Sequence, residues 1–223
     1  MCGVIGISML KADLDLIKKV FQESMIRGKH ATGVSYLKGG VINTIKDGIP
    51  VSEFLDKYDF EDFVDSDGSV TMIGHIRYST SDLRYNQPFQ NESVSIVHNG
   101  VISQEDPSQW VYKTETANDS ELILHAILDN QIPLKRFRPS SMAVVELHSN
   151  GNLIGYRNEA RPLWYNIIPD GIIFTSTKDI SKRSGLNNPQ RCDMFNQYEY
   201  NRNTSAISIT SYGVQENIKD LQD

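Results

Sequence analysis

Apolar positions along the chain recur with two periods. Cys2 to Met9 (C-G-V-I-G-I-S-M) is a short apolar run carrying two glycines, which predicts a buried strand that another backbone approaches closely. Leu14, Ile17, Val20, Phe21 and Met25 then fall on one face of a helix from about 13 to 26, with Asp13 or Asp15 as cap and Arg27-Gly28 as its close. Strands are predicted over 33–38 and 41–46, joined by a hairpin turn at Gly39-Gly40. A helix over 52–64 ends in the turn-forming S-D-G of 66–68. Strands over 69–78 and 94–98 flank a loop, S-D-L-R-Y-N-Q-P-F-Q, rich in turn formers. A helix capped by Asn118 or Asp119 runs to about 129, with Leu122, Ile123, Ala126 and Ile127 as its apolar face. Strands follow over 142–147, 153–157, 164–168 and 172–175, and the Asn-, Gln- and Tyr-rich tail from Leu186 offers one more at 206–209.

Strands outnumber helices, and the helices arrive singly between groups of strands. That order predicts an α+β fold, helices packed on largely antiparallel sheets, over a doubly wound parallel sheet. No internal repeat or low-complexity linker divides the chain, so its 223 residues are read as one mixed domain.

Charge narrows the function classes. The chain carries 22 basic and 28 acidic residues, a balance of −6, with no basic block; nucleic acid and anionic membranes are therefore not expected partners. Its apolar runs fall far short of the ~20 residues that span a bilayer. No basic-then-apolar leader opens it, and the expectation is a soluble, cytoplasmic protein. Cys2 and Cys192 lie at opposite ends and the five histidines form no i,i+4 pair, so neither a disulfide framework nor a zinc site is expected.

The position of Cys2 is the exception in an ordinary composition. Removal of Met1 would put a free α-amino group on the residue that carries the thiol, joining nucleophile and general base in one residue. Taken alone, Cys2 reads more readily as a small buried hydrophobe of the first strand.

Other residues weigh on that choice. Cys2-Gly3-Val4-Ile5-Gly6 opens the chain, Gly74-His75-Ile76-Arg77-Tyr78-Ser79-Thr80 follows at about one third, His98-Asn99-Gly100 comes later, and Asn118-Asp119-Ser120-Glu121 begins a helix. In this order and spacing the sequence resembles the class II glutamine amidotransferases, over roughly residues 2–180. The resemblance implies a four-layer αββα N-terminal-nucleophile hydrolase sandwich and a glutaminase that uses no metal or organic cofactor. It implies Cys2 as nucleophile, Asn99 and Gly100 as oxyanion donors, Arg77 and Thr80 on the substrate's α-carboxylate side, and Asp119 on its α-ammonium. Arg27, Gly28, His75, Tyr78 and His98 would support them. Taken singly, Arg77 is also a solvated strand-end charge, Asp119 a plain helix cap, and Asn99-Gly100 a hairpin turn.

The sequence departs from the family's pattern at three places. Arg27-Gly28-Lys29-His30-Ala31-Thr32-Gly33 has histidine where the family has aspartate, Tyr78 stands for the usual tryptophan, and Ser79-Thr80-Ser81-Asp82 replaces A-T-H-G. Members commonly carry a fused synthase that consumes the ammonia. The expectation here is glutamine as substrate and a separate ammonia-accepting synthase subunit, or else an enzyme that hydrolyses another γ-glutamyl or acyl amide, or a module that binds glutamine without turning it over.

Overall fold

The structure, a computed structural model, describes residues 2–78 and 86–213. Strand β1 (Gly3–Met9) is buried along its whole length. Helix α1 (Leu14–Ser24) starts where the Asp13 carboxylate accepts the Leu16 N–H at 3.0 Å, and a 3₁₀ turn at Met25–Arg27 closes it. β2 (Ala31–Lys38) and β3 (Val41–Asp47) pair across Gly39 and Gly40, whose φ of 59° and 76° give the tight hairpin expected of that pair. The helix expected over 52–64 is two pieces, α2 (Val51–Lys57) and a 3₁₀ turn at Phe60–Phe63. Phe54, Phe60 and Phe63 enter one core, and the break at Tyr58-Asp59 lets Asp59 cap the second piece through the Glu61 N–H at 3.0 Å.

The remaining elements are β4 (Val70–Arg77), β5 (Phe89–Gln90), β6 (Val94–Val101), α3 (Glu121–Leu128), α4 (Pro133–Arg136), β7 (Ser141–His148), β8 (Leu153–Arg157), β9 (Trp164–Ile168), β10 (Gly171–Thr175), α5 (Lys178–Arg183), β11 (Gln190–Arg191), β12 (Asn196–Asn201) and β13 (Ala206–Ser211). One sheet runs β11-β9-β10-β1-β4-β2-β3 and the other β13-β12-β8-β7-β6-β5, every pairing antiparallel. The polar tail thus holds a strand, β12, that the sequence reading passed over.

The two sheets stack face to face between helical layers. Val4, Ile73, Val97, Val145, Phe174 and Tyr198 fill the space between the sheets. Ile5, Ile7, Met72 and Ile76 pack under α1 and α2, and Ile96, Val144 and Tyr156 pack under α3 and α4. Each fully buried side chain of this kind contributes about 1.5–3 kcal/mol. Gly6 is held to glycine by closeness, since a Cβ there would lie 2.6 Å from Val145 Cγ1 of the facing sheet.

This αββα order follows from period-two alternation, and alternation also places the polar residues. In β1 the even positions face the other sheet; in β4 and β6 the odd ones do. Val4 is paired with His75, so Cys2, one step beyond β1, lies level with Arg77. Asn99 projects into the same intersheet space from β6. Cys2, Arg77 and Asn99 therefore meet at one end of the sandwich. Among the described residues no helix is long and apolar enough to cross a membrane, and no cluster of three or more His, Cys, Asp or Glu side chains could hold a metal ion.

Candidate active site

At that end lies a cleft of about 490 Å³ lined by Cys2, Arg77, Asn99, Gly100, Asp119 and Arg161, with Tyr78, Gln87 and both His75 and His98 in its wall. A cavity of about 560 Å³ at the opposite end of β1, lined by Met9, Asp13, Asp15 and Asp170, holds no nucleophile.

The Cys2 N–H donates to Asn99 Oδ1 at 3.3 Å, and Arg27 Nε donates to the Cys2 carbonyl at 3.3 Å. With Oδ1 committed to Cys2, Asn99 Nδ2 is buried and has no hydrogen-bond partner. Asn99 and Gly100 sit inside β6, which extends to Val101, and not in a hairpin turn. Gly100 pairs with Met142, whose N–H and C=O are both taken by Asn158 on the far side, at 3.0 Å each. By antiparallel alternation the Gly100 N–H points away from β7. On that side β5 reaches only Ser95 and Ile96. Gly100 adopts φ 155°, and a Cβ there would lie 1.9 Å from the Ser141 oxygen, so no other residue fits.

Arg77 ends β4 and is 8% exposed, with Nη1 donating to Asn86 Oδ1 at 2.7 Å. Gly28 lets the segment after α1 cross directly over it: a Cβ on Gly28 would meet the Arg77 carbonyl carbon at 2.4 Å and the Tyr78 nitrogen at 2.6 Å. Its φ of −174° is extended backbone, so close approach and not a left-handed helix end explains this glycine. His30 sets its ring at 47° to that of Tyr78, centroids 5.0 Å apart, and its backbone N–H donates to the Arg77 carbonyl at 3.0 Å. Thr80 and Ser81 lie outside the described residues.

Neither Asn118 nor Asp119 caps α3, whose N-cap is Ser120. Asn118 Oδ1 accepts the Ser120 N–H at 3.1 Å. Asp119 Oδ2 instead accepts from the Ile102 and Ser103 N–H groups, the latter at 3.1 Å, which ties the chain after β6 to the cleft.

The two histidines are fixed and neutral. Burial first, then the Arg77 charge and His98, push His75 down to about 3. Burial pushes His98 down to about 4 against the attraction of Asp119, and the Arg161 charge adds to the fall. His98 Nε2 lies 3.2 Å from the Ser141 carbonyl, which can only accept, so Nε2 carries the proton and Nδ1 accepts from the Ser120 hydroxyl at 2.8 Å. Gln87 clamps the same strand end, its Oε1 accepting the His98 N–H at 2.6 Å and its Nε2 donating to the His98 carbonyl at 3.1 Å. His98 is thereby held through both ring nitrogens, whereas His75 Nε2 is buried without a partner. Burial also lowers the pKa of Arg27, with attraction to Cys2 opposing and repulsion from Arg161 adding to the effect.

Sequence reasoning missed Gln87, Asn86 and Arg161. Gln87 and Asn86 lie in the turn-rich loop, and only Gly33, whose Cβ would sit 2.0 Å from the Gln87 oxygen, hinted at close packing there. Arg161 lies in the connection between β8 and β9 and carried no motif.

This fold is that of the class II glutamine amidotransferase domains among solved structures. Among solved structures the chain is similar to glutamine phosphoribosylpyrophosphate amidotransferase from B. subtilis complexed with ADP and GMP, with 17% identity and a TM-score of 0.74, over 96% of this chain and 50% of that one. It is similar to an allosteric regulatory enzyme of purine biosynthesis, at 18% identity and a TM-score of 0.74, over 96% and 49%. It is also similar to a glutamine aminotransferase class-II domain protein from Silicibacter pomeroyi, at 10% identity and a TM-score of 0.57, over 96% and 100%. The chain spans about half the length of the first two. At these identities the likeness is one of fold. No protein-family model matches the sequence, and neither does any curated protein.

Proposed function

We propose that the chain hydrolyses the side-chain amide of glutamine to glutamate and ammonia through a thioester on Cys2, exposed as the first residue by removal of Met1. The α-amine takes the thiol proton, and sulfur attacks the amide carbon. Charge builds on the carbonyl oxygen, where Asn99 Nδ2 and the Gly100 N–H receive it; each such donor is worth about 3 kcal/mol. The C–N bond breaks as the α-ammonium returns its proton to the leaving nitrogen, giving ammonia and a γ-glutamyl thioester. Water, deprotonated by the same amine, then releases glutamate. Arg77 meets the substrate α-carboxylate with a planar fork, Asp119 meets its α-ammonium, and Thr80 adds a hydroxyl contact. Arg27, Gly28, His75, Tyr78 and His98 hold these groups in place. The released ammonia passes to a separate synthase, as the resemblance to amidotransferases implies.

The observation that carries this reading is the state of Asn99. Its oxygen is tied to the Cys2 N–H at 3.3 Å, so its amide nitrogen is aimed by the nucleophile itself and remains unspent. Mass spectrometry of the active protein should find a chain starting at Cys2. A glutamine-analogue electrophile should label that residue alone, and Cys2→Ala should abolish glutamine turnover. Active protein that retains Met1, or labelling unaffected by Cys2→Ala, overturns the mechanism.

A further inference from the structure

One charged side chain of the cleft keeps a buried donor without a partner. With both histidines neutral, the cleft's charged lining among the described residues is Arg77 and Arg161 against the single carboxylate of Asp119. Zwitterionic glutamine brings one carboxylate, for Arg77, and one ammonium, for Asp119. Arg161 is left over. Its Nε is buried and has no hydrogen-bond partner, and no carboxylate pairs with it among the described residues. A buried charged donor left unmade is costly, and a site that retains one is shaped for an acceptor that arrives with a ligand.

The two guanidiniums mark different parts of the cleft. Arg77 acts on His75 and is bonded to Asn86, whereas Arg161 acts on His98 and on Arg27, which is itself bonded to the Cys2 carbonyl. Arg161 thus lies within electrostatic reach of the Cys2–Arg27 pair as well as of His98. Its own carbonyl accepts from Arg157 Nη1 at 3.5 Å, and Arg157 is locked by Cys192 O at 2.6 Å and Asn158 O at 2.9 Å, so the loop that carries it is anchored.

We infer that Arg161 reads a second carboxylate, carried on the amide nitrogen of the substrate, so that the site takes γ-glutamyl amino acids in preference to γ-glutamyl amides whose nitrogen bears no charge. The inference rests on the Cys2 hydrolysis proposed above and extends it to a substrate class. The chemistry is unchanged and balanced. The Cys2 S–H proton ends on the leaving nitrogen as the C–N bond breaks, the amino acid departs with its carboxylate on Arg161, and water converts the thioester to glutamate. γ-Glutamylglycine carries one negative charge more than glutamine, which answers the unmatched guanidinium.

Two matched substrates test this: γ-glutamylglycine, and γ-glutamylmethylamide, which lacks only the second carboxylate. A charged hydrogen bond of ordinary strength gives a preference of about tenfold or more. The enzyme should favour γ-glutamylglycine by that factor in kcat/KM, chiefly through KM. In Cys2→Ala protein, calorimetry should show the same ratio in Kd, and Cys2→Ala/Arg161→Gln should bring that ratio to about one. Equal affinity of Cys2→Ala protein for the two ligands overturns the inference, as does a preference that survives Arg161→Gln; the first comparison needs no change at Arg161 and stands if that variant fails to fold. Loss of all turnover in the unmodified enzyme, with the binding preference intact, would instead sink the Cys2 mechanism and leave the carboxylate site standing.

Discussion

Replacing Asn99 by alanine should separate activity from stability. In the resting protein the Asn99 side chain makes one hydrogen bond, at 3.3 Å from the Cys2 N–H, and leaves a buried Nδ2 without a partner. The bond contributes about 0.5–1.5 kcal/mol, and the orphaned amide donors cost about 1–3 kcal/mol. The methyl group of alanine keeps Cβ in place at a residue only 3% exposed, so the lost packing is modest. Gain and loss nearly cancel, and the variant should unfold within about 1 kcal/mol of the parent, or about 2–4 °C in a protein of this size. Catalysis should respond differently. The tetrahedral oxyanion loses its side-chain donor, about 3 kcal/mol, and kcat should fall by about 10²–10³ with little change in KM. Glutamate formation followed by a coupled dehydrogenase, beside urea unfolding of the same samples, measures both. A kcat within threefold of the parent would remove Asn99 from the mechanism. A loss of several kcal/mol in stability alongside activity would make it a structural residue.

Other outcomes follow from the same geometry. Gly28→Ala should cost about 2 kcal/mol or more and raise KM for glutamine, because its Cβ would overlap the Arg77 carbonyl at 2.4–2.6 Å; calorimetry and kinetics at parental stability would contradict it. Arg77→Lys keeps the charge but loses the fork, and should raise KM about tenfold or more, read from saturation curves. His75 and His98 have folded pKa values of about 3 and about 4, below the unfolded value near 6.5. The unfolded chain therefore binds more protons between those limits. The histidine contribution to stability is full above pH 6.5 and is lost progressively as pH falls through about 4 for His98 and about 3 for His75. Urea midpoints should drop steadily from pH 7 to pH 5, a range above most carboxylate titration; a flat profile would contradict buried neutral histidines.

Much of the sandwich was legible because strands buried on both faces read as short apolar runs between turn formers. The ranges 153–157 and 164–168 are found as read, as β8 and β9. β12 was lost because Asn196–Asn201 carries its signal in tyrosine: Tyr198 and Tyr200 are 2% exposed, alternating with Gln, Glu and Asn. A scale that counts Tyr as polar erases that period. The candidate site was legible wherever a motif names its own residue, as at Cys2, Arg77 and Asn99. Asp119 lines the cleft but does not cap α3: an aspartate before a helix usually caps it, and here the turn after β6 claims Oδ2 first. Arg161 was out of reach from sequence, because nothing local distinguishes it. Only the crossing from β8 to β9, from one sheet to the other, brings it to Cys2.

The distribution of unmade hydrogen bonds binds fold and chemistry together. Of seven buried side-chain atoms without a partner among the described residues, four are donors or ring nitrogens at one end of β1: Arg27 Nη2, His75 Nε2, Asn99 Nδ2 and Arg161 Nε. The other three, on Tyr156, Asn166 and Tyr200, lie on separate strands away from the cleft lining. A fold assembled for stability alone would leave such atoms few and scattered, since each costs about 1–3 kcal/mol. Their concentration beside Cys2 means that, among the described residues, hydrogen-bonding capacity is left unspent mainly at this end of the sandwich, where the proposed chemistry needs it. Cys192, buried and with its thiol pKa pushed up by desolvation, marks the contrast: it has the same functional group and no site around it. Position in the sandwich, not the presence of a thiol, is what makes Cys2 and not Cys192 the proposed nucleophile.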